Sequence, residues 1–117
     1  MKLGIVGCRY FKNYNLIEAK IDEYIKDNNI TIHEIVSGAA EGIDTIAELY
    51  SKKHNIKFTC FPPDTQKYGI KAYAIRNKLI VDNSDQILAF PSIKSKGTFM
   101  TINIAKKENK PVAIIKI

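Results

Sequence analysis

The chain has 117 residues, 45% of them apolar, which is enough to build the core of one domain without disulfides or a metal. The net charge of +6 favours anionic partners without identifying them, because the excess lysines are scattered over predicted helix faces. No run approaches the roughly 18 apolar residues of a membrane span, and the chain opens on a strand-like run rather than a signal peptide. We therefore expect a single cytoplasmic domain over residues 1–117, with no membrane contact.

The distribution of basic residues bears on the kind of partner. A nucleic-acid surface usually concentrates Lys and Arg in a stripe with interleaved aromatic residues. Only Lys94, Lys96 and the pair Lys106-Lys107 come near such a stripe. This pattern argues against nucleic acid as a partner.

The two cysteines, Cys8 and Cys60, have neither the spacing nor the neighbouring histidines of a metal site. Both lie in or beside apolar runs. We therefore expect buried thiols in a reducing compartment, with no disulfide and no metal.

Short runs rich in Ile and Val alternate along the chain with turn clusters and segments of helical spacing, which is typical of βαβ units. Each run is short enough to be one strand. The predicted strands are Lys2–Val6, His33–Ser37, Lys57–Phe61, Gln86–Phe90 and Val112–Ile117.

Four helices are predicted between these strands from apolar residues spaced three and four apart. The first ends at Asn28-Asn29, the third runs from about Gly69 to Asp82, and the fourth from Gly97 to Glu108. The apolar faces of the first two helices are Leu16, Ile17, Ile21, Tyr24 and Ile25 in one and Ile43, Ile46, Ala47 and Tyr50 in the other.

Five parallel strands joined by right-handed crossovers predict an α/β fold, a Rossmann-like three-layer sandwich with strand order 3-2-1-4-5. Helices on both sheet faces explain why apolar residues stand at consecutive strand positions such as Ile35-Val36. In this order the winding reverses between strands one and four. Ligands bind beyond the C-terminal ends of the strands at such a point.

Three predicted strand-to-helix turns at that edge carry glycine with small or hydroxyl residues, at positions 7–9, 37–42 and 95–98. Glycine lets the backbone approach an oxyanion, and a helix start favours negative charge. One such turn occurs in any α/β protein, but three on one rim favour a phosphate site. Nearby cations that could pair with the phosphate are Arg9, Lys67, Arg76 and Lys96.

The predicted phosphate site follows neither common nucleotide motif. Gly4 and Gly7 lack the spacing of GxGxxG, and the sequence contains no GxxxxGK[ST]. Hydride transfer with NAD and P-loop hydrolysis are therefore disfavoured, and we expect no cofactor.

Five ordered runs, which span nearly the whole chain, resemble the SLOG superfamily, named for DprA/SMF proteins and the cytokinin-activating LOG enzymes. The similarity is greatest to its stand-alone YspA-related branch. The runs are Gly7-Cys8-Arg9-Tyr10-Phe11, Val36-Ser37-Gly38-Ala39-Ala40-Glu41-Gly42-Ile43-Asp44, Phe61-Pro62-Pro63-Asp64 with Lys67-Tyr68-Gly69, Ile75-Arg76-Asn77 and Ser95-Lys96-Gly97-Thr98.

The resemblance implies a Rossmann-like sheet, a nucleotide pocket beside the second-strand glycines and the Gly97-Thr98 turn, and a homodimer or homotetramer. The superfamily includes LOG phosphoribohydrolases, DNA-binding DprA, and sensors of NAD-derived or ADP-ribose-like signals. The expected ligand-binding residues are Gly7, Arg9, Tyr10, Ser37, Gly38, Ala39, Asp44, Lys67, Tyr68, Arg76, Asn77, Lys96, Gly97, Thr98 and Thr101.

One position departs from the LOG pattern. LOG enzymes carry a PGGxGTxxE motif whose glutamate acts in cleaving an N-glycosidic bond, with an arginine from the preceding helix. Gly97-Thr98 match the motif and Arg76 falls at the arginine, but Thr101 stands at the glutamate. A threonine supplies no carboxylate to stabilise an oxocarbenium-like centre or to activate water. The sequence therefore favours holding a ligand over cleaving it, and no catalytic residue is assigned.

Other candidate groups have plain structural explanations. Asp44 fits the dipole of its helix and Asp64 fits a turn, although either could be a catalytic carboxylate. Neither His33 nor His54 has a sequence neighbour that would make it a base. Some tyrosines and phenylalanines could stack on a nucleobase or pack in the core. They are Tyr10, Phe11, Tyr14, Tyr68 and Tyr73.

Three functions are consistent with the sequence. The first is a protein that binds a nucleotide-derived phosphate ligand, such as an ADP-ribose-like or cyclic nucleotide signal, as a sensor or by sequestration, for example in viral counter-defence. The second is a nucleotide N-glycosidase related to LOG enzymes. The third is DprA-like binding of single-stranded DNA.

Overall fold

The sheet has five parallel strands in the order β3-β2-β1-β4-β5, which confirms the predicted topology. The structure, a computed structural model, describes residues 1–92 and 94–117. The strands are β1 (Lys2–Gly7), β2 (Glu34–Gly38), β3 (Lys57–Phe61), β4 (Gln86–Phe90) and β5 (Val112–Ile114).

Helices cover both faces of the sheet. The helices are α1 (Tyr14–Asp27), α2 (Ile43–Lys53), the single-turn α3 (Thr65–Tyr68), α4 (Ala72–Asp82) and α5 (Lys96–Lys107), with a 3-10 turn (Gly69–Lys71) between α3 and α4.

Two separate cores lie on the two sides of the sheet. One cluster joins β-sheet residues such as Ile35 to the buried faces of α1 and α2, and it contains the wholly buried Ile17 and the nearly buried Tyr50. The other joins Val36 to buried residues of α4 and α5, such as Ile80. Because neighbouring strand residues point to opposite faces, both faces must be apolar, and this accounts for the consecutive Ile and Val residues in the sequence.

Two predicted elements differ from the structure by more than one residue at an end. The predicted third helix begins at Ala72 rather than Gly69, because Gly69, with φ +59°, opens a 3-10 turn over Gly69–Lys71. The single-turn α3 before it was not predicted, and its start is capped by the Asp64 side chain, which accepts a hydrogen bond from the Lys67 amide at 3.1 Å. The last strand ends at Ile114 rather than Ile117, because its ladder with β4 ends at the pair Ala89 and Ile114.

The prediction that both thiols are buried is half wrong. Cys8 is buried, but Cys60 is exposed. Cys60 belongs to β3, which lies at one edge of the sheet and pairs on one side with β2. An apolar run on an edge strand does not guarantee burial.

Three helices end at an asparagine in the left-handed region, where a short polar side chain is better tolerated than most. The next amide after each asparagine donates to a carbonyl five residues back, which is the Schellman arrangement. The asparagines are Asn29, Asn55 and Asn109, with φ of 50°, 55° and 59°.

The longest helix among residues 1–92 and 94–117 has 14 residues, and no helix in that part of the chain is both long and apolar enough to cross a membrane.

We predict that Gly42→Ala destabilises the fold by about 2–4 kcal/mol. Gly42 has φ +75°, and an added Cβ would collide with the backbone of Cys8 and Arg9. Urea unfolding measures the change. Gly97→Ala is the matched control, because a Cβ at Gly97 meets no atom within 4 Å among the described residues. Equal unfolding midpoints for the two variants would contradict the prediction.

Candidate functional site

The turn after β1 is fixed to two neighbouring elements at the C-terminal edge of the sheet. The Cys8 amide donates to the carbonyl of Phe90 at 3.0 Å, and the Cys8 carbonyl accepts from the Ile43 amide at the start of α2 at 3.1 Å. Gly42 makes this approach possible because it has no side chain facing the turn. The ends of β1, β2 and β4 are thereby held together.

A cavity of about 330 Å³, the first cavity, opens at this edge between the ends of β1 and β4. Residues from all three glycine-containing turns and from α4 and α5 line it. They are Val6, Gly7, Cys8, Arg9, Tyr10, Ala40, Asp44, Arg76, Asn77, Ile80, Ser92, Lys94, Ser95, Lys96, Gly97, Thr98 and Thr101.

The Arg76 side chain reaches the first cavity from α4 and is 92% buried, with 8% of its surface exposed. Its Nε donates to the Asn77 side chain at 2.8 Å. Its terminal nitrogens lie over Gly38, where an added Cβ would be 2.6 Å from Nη1 of Arg76 and 2.9 Å from Oδ2 of Asp44. Gly38 is therefore needed as glycine to leave room for a guanidinium and a carboxylate.

The Asp44 carboxylate stands in the first turn of α2 and accepts a hydrogen bond from the Ala40 amide at 3.3 Å. Burial raises the pKa of Asp44 to about 6, although the Ala40 amide and the guanidinium groups of Arg76 and Arg9 act to lower it. The Ser37 hydroxyl gives its proton to the carbonyl of Ile5, at 2.6 Å. Asp44 thus resists ionisation despite its cationic neighbours.

The guanidinium of Arg76 is itself disfavoured in this position. Burial lowers the pKa of Arg76, Asp44 raises it, and the charge of Arg9 lowers it further. No carboxylate of the described residues comes within 4 Å of Arg76. The side chain therefore carries a charge that the protein satisfies only in part.

The Cys8 thiol lies in the wall of the first cavity. The Tyr10 amide points at its sulfur at 3.4 Å. Burial acts to raise the pKa of Cys8, but hydrogen bonds from Ser92, from the Tyr10 and Phe11 amides and from Ser95 bring it below its usual value. Ser92, Tyr10 and Ser95, which act to lower the pKa of this thiol, also line the first cavity.

The opposite wall is the N-terminal turn of α5, whose dipole adds partial positive charge. Thr101 is 1% exposed, and its hydroxyl donates to the Gly97 carbonyl at 3.2 Å. At the LOG glutamate position the chain therefore offers a hydroxyl that is bonded to its own helix.

Charge in the first cavity is mainly positive. Arg9, Arg76, Lys94 and Lys96 line it together with the single carboxyl group of Asp44. Among the described residues no three His, Cys, Asp or Glu side chains meet as a metal ion would require. Electrostatically, the cavity suits an anion.

A second cavity of about 430 Å³ adjoins the first on the β2–β3 side. The two cavities share Arg9, Tyr10, Ala40 and Arg76, so Arg76 lies at their junction.

The structure places most of the expected ligand-binding residues together. Ala39 lines the second cavity, and Ser37 and Gly38 lie under Asp44 and Arg76. Lys67 and Tyr68 line neither cavity, since they belong to α3. Those expected residues that line the first cavity are Gly7, Arg9, Tyr10, Asp44, Arg76, Asn77, Lys96, Gly97, Thr98 and Thr101.

Other residues of the first cavity were not expected. Cys8 was interpreted as a core thiol, and Ala40, Ser92, Lys94 and Ser95 were not singled out as contacts. The sequence could have indicated these residues, because each of them stands in a turn between a strand and the next helix. The side chains of such short turns line the same edge as the glycines.

Several other candidates have structural roles. The His54 ring stacks on Tyr50 at 4.0 Å between centroids and contacts Glu18 at 3.1 Å. Phe11 and Tyr14 pack against the α1–α2 core. These residues are explained without a ligand.

A sequence model of the YspA, cpYpsA-related SLOG family matches residues 1–68. The match includes the turns after β1 and β2. A search of curated proteins gives no match.

Two solved structures share the fold. DNA processing protein A from Helicobacter pylori, described as having a unique single-stranded DNA binding mode, matches with a TM-score of 0.71 and 20% identity over 97% of this chain and 64% of that one. DNA processing protein A (DprA) from Streptococcus pneumoniae matches with a TM-score of 0.74 and 20% identity over 97% of this chain and 49% of that one. This chain thus spans less than two thirds of either protein.

The argument from charge distribution against nucleic acid as a partner is contradicted by this comparison. The fold shared with the Helicobacter pylori protein is that of a protein that binds single-stranded DNA. The absence of an aromatic-basic stripe in the sequence therefore does not exclude nucleic acid as a partner. Cations from separate turns can meet at one edge of a sheet without being close in sequence.

We predict that Asp44 makes the fold less stable as pH rises from about 4 to about 6. Its pKa is raised to about 6 in the folded protein, so the folded state binds more protons than the unfolded state in that interval. The neutral carboxyl stabilises the fold fully below the pKa of the unfolded state, and this stabilisation is lost as the pH rises through the pKa of the folded state. The stabilisation that is lost is at most about 3 kcal/mol. Urea unfolding at pH 4 and pH 7 tests this. Asp44→Asn should lose this component of the pH dependence, and an unchanged dependence would contradict the prediction.

Proposed function

Since this chain belongs to the YspA, cpYpsA-related SLOG family, we propose that its first cavity binds the phosphate of a nucleotide-derived ligand. The observation that carries the proposal is the Arg76 guanidinium, buried at the junction of two cavities with no close carboxylate among the described residues. Guanidinium groups form paired hydrogen bonds with phosphate oxygens. A phosphate would supply the anionic partner that Arg76 lacks among the described residues.

Other groups around Arg76 support the same ligand. The N-terminal turn of α5 and the side chains of Lys94 and Lys96 face the cavity from the other side. Protonation of Asp44 near pH 6 would remove the one negative charge in the lining. Binding of an anion should therefore raise the pKa of Asp44 further.

The ligand is held without being cut. Thr101 provides no carboxylate, and its hydroxyl is engaged by the Gly97 carbonyl. Asp44 is the remaining carboxyl group of the first cavity, and it is tied to the Ala40 amide. Incubation with adenosine 5′-monophosphate should release neither adenine nor ribose 5-phosphate, and release of either would favour the N-glycosidase alternative.

We predict that Arg76→Gln weakens binding of adenosine 5′-monophosphate by about 10- to 100-fold, because a hydrogen bond to a charged group contributes about 1.5–3 kcal/mol. Titration calorimetry measures the affinity, and circular dichroism checks the fold. Arg76→Lys retains the charge but not the fork, so it should bind with intermediate affinity.

Lys71→Gln is the matched control for loss of one positive charge, because Lys71 is exposed and lines neither cavity. It should bind adenosine 5′-monophosphate as the unmodified protein does. Equal affinities for Arg76→Gln and Lys71→Gln would overturn the proposal.

Single-stranded DNA is the second candidate ligand, and the comparison with solved structures supports it more directly than it supports a free nucleotide. The fold match to DNA processing protein A extends over 97% of this chain. The exposed side chains of Arg9, Lys94 and Lys96 form a cationic rim on the first cavity. A strand could run along this rim with one of its phosphates at Arg76.

If single-stranded DNA is the ligand, we predict that the affinity for an oligodeoxythymidylate falls as salt is added. Each phosphate contact on a single strand contributes about 0.7 to the slope of log K against log salt. The double variant Lys94→Gln with Lys96→Gln should therefore reduce this slope by about 1.4. Fluorescence anisotropy at several salt concentrations measures the slope. The double variant Lys26→Gln with Lys52→Gln, on exposed positions of α1 and α2, is the control. A slope that is equal in the two double variants would exclude the rim as the binding surface.

A further inference from the structure

The second cavity differs in chemistry from the first. Beyond the residues it shares with the first cavity, it gains the side chains of Glu41, Pro63 and Tyr73 and the Ala39 methyl, and no further cation. Glu41 would repel a second phosphate. A neutral flat group fits this lining better than an anion does.

Tyr73 provides the surface for such a group. Tyr73 is 40% exposed, and the Arg76 guanidinium carbon lies over its ring, 6.0 Å from the ring centroid. An aromatic ring that enters the second cavity could therefore stack on Tyr73 while remaining beside Arg76. The carboxylate of Glu41 could accept a hydrogen bond from an exocyclic amine on that ring.

The two cavities meet at Arg76, and this junction relates their contents. Both cavities are lined by the Arg76 side chain, so a phosphate that Arg76 binds in the first cavity lies next to the second cavity. In a nucleotide, a single sugar separates the phosphate from the base.

From this arrangement we propose that the second cavity is a nucleobase subsite, in which the base stacks on Tyr73 while its phosphate is held by Arg76 in the first cavity. The inference rests on the proposed function, since it assumes a phosphate at Arg76. It applies equally to a free nucleotide and to one nucleotide of a DNA strand.

The test compares two probes that share a phosphate and differ in the base, adenosine 5′-monophosphate and ribose 5-phosphate. Tyr73→Ala should weaken binding of adenosine 5′-monophosphate about tenfold, as expected for loss of base stacking, and leave ribose 5-phosphate unchanged. Tyr73→Phe keeps the ring and should keep the affinity.

Tyr68→Ala is the matched control, because Tyr68 is also 40% exposed and lines neither cavity. It should bind both probes as the unmodified protein does. Equal weakening of both probes in Tyr73→Ala would show a merely structural role and overturn the inference. It would also be overturned if Tyr73→Ala weakened neither probe.

The result separates this inference from the proposed function. If ribose 5-phosphate binds in an Arg76-dependent way and the base adds nothing, the phosphate site stands and the base subsite fails. If neither probe binds the unmodified protein, both fail. A parallel titration with 5′-phosphorylated oligodeoxyadenylate identifies the source of the base, because a Tyr73→Ala loss on the strand as well as on the mononucleotide supports the subsite in both settings.

Discussion

The close approach of the β1 turn to the start of α2 is the constraint on which the site depends. One carbonyl, that of Cys8, meets the Ile43 amide at 3.1 Å, and Gly42 has the positive φ that lets the two backbones touch. This contact brings the wall that carries Arg9 beside the helix that carries Asp44. It joins the turn after β1 to the turn between β2 and α2. The backbone contact between Cys8 and Ile43 thus places the side chains of Arg9 and Asp44 in one cavity.

The electrostatic design of the site follows from that geometry. Packing the Asp44 carboxyl and the Arg76 guanidinium over Gly38 removes both groups from water, yet the structure does not bring them within ion-pair distance. Desolvation therefore acts on each group without full compensation from the other. Burial raises the pKa of Asp44 and lowers that of Arg76, so burial disfavours the charged form of both side chains.

The sequence predicted the core because burial follows the periodicity of apolar residues. It predicted the sheet order because right-handed crossovers restrict how parallel strands can be arranged. Ile35 and Val36 are buried in the cores on opposite faces of the sheet, so they appear in the sequence as consecutive apolar residues. Strands β3 and β4 have the predicted bounds. The sequence-based prediction failed where burial or a helix boundary depends on contacts that the hydrophobic pattern does not show. Burial of Cys60 depends on whether β3 is an edge strand, and the extra helical turn α3 depends on a local cap at Asp64.

The site shows the same division between local pattern and tertiary contact. Glycines in the three turns marked the correct edge, and Arg76 was found from its position in a motif. The second cavity was not predicted, because Pro63 and Tyr73 meet Arg9 and Ala40 only through the packing of α4 against the turns. Lys67 and Tyr68 were expected at the site because they stand in one of the runs that resemble the SLOG superfamily, but they lie in α3 and line neither cavity.

The partly unsatisfied Arg76 has a consequence for the lifetime of the protein. A ligand that binds only the folded state adds RT ln(1 + [L]/Kd) to stability, about 2.7 kcal/mol at a hundred times Kd. An anion that satisfies a buried guanidinium makes the loaded chain open less often than the empty one. Proteases act on open chains, so the amount of protein in a cell would follow the supply of its ligand, and the empty form would be removed first.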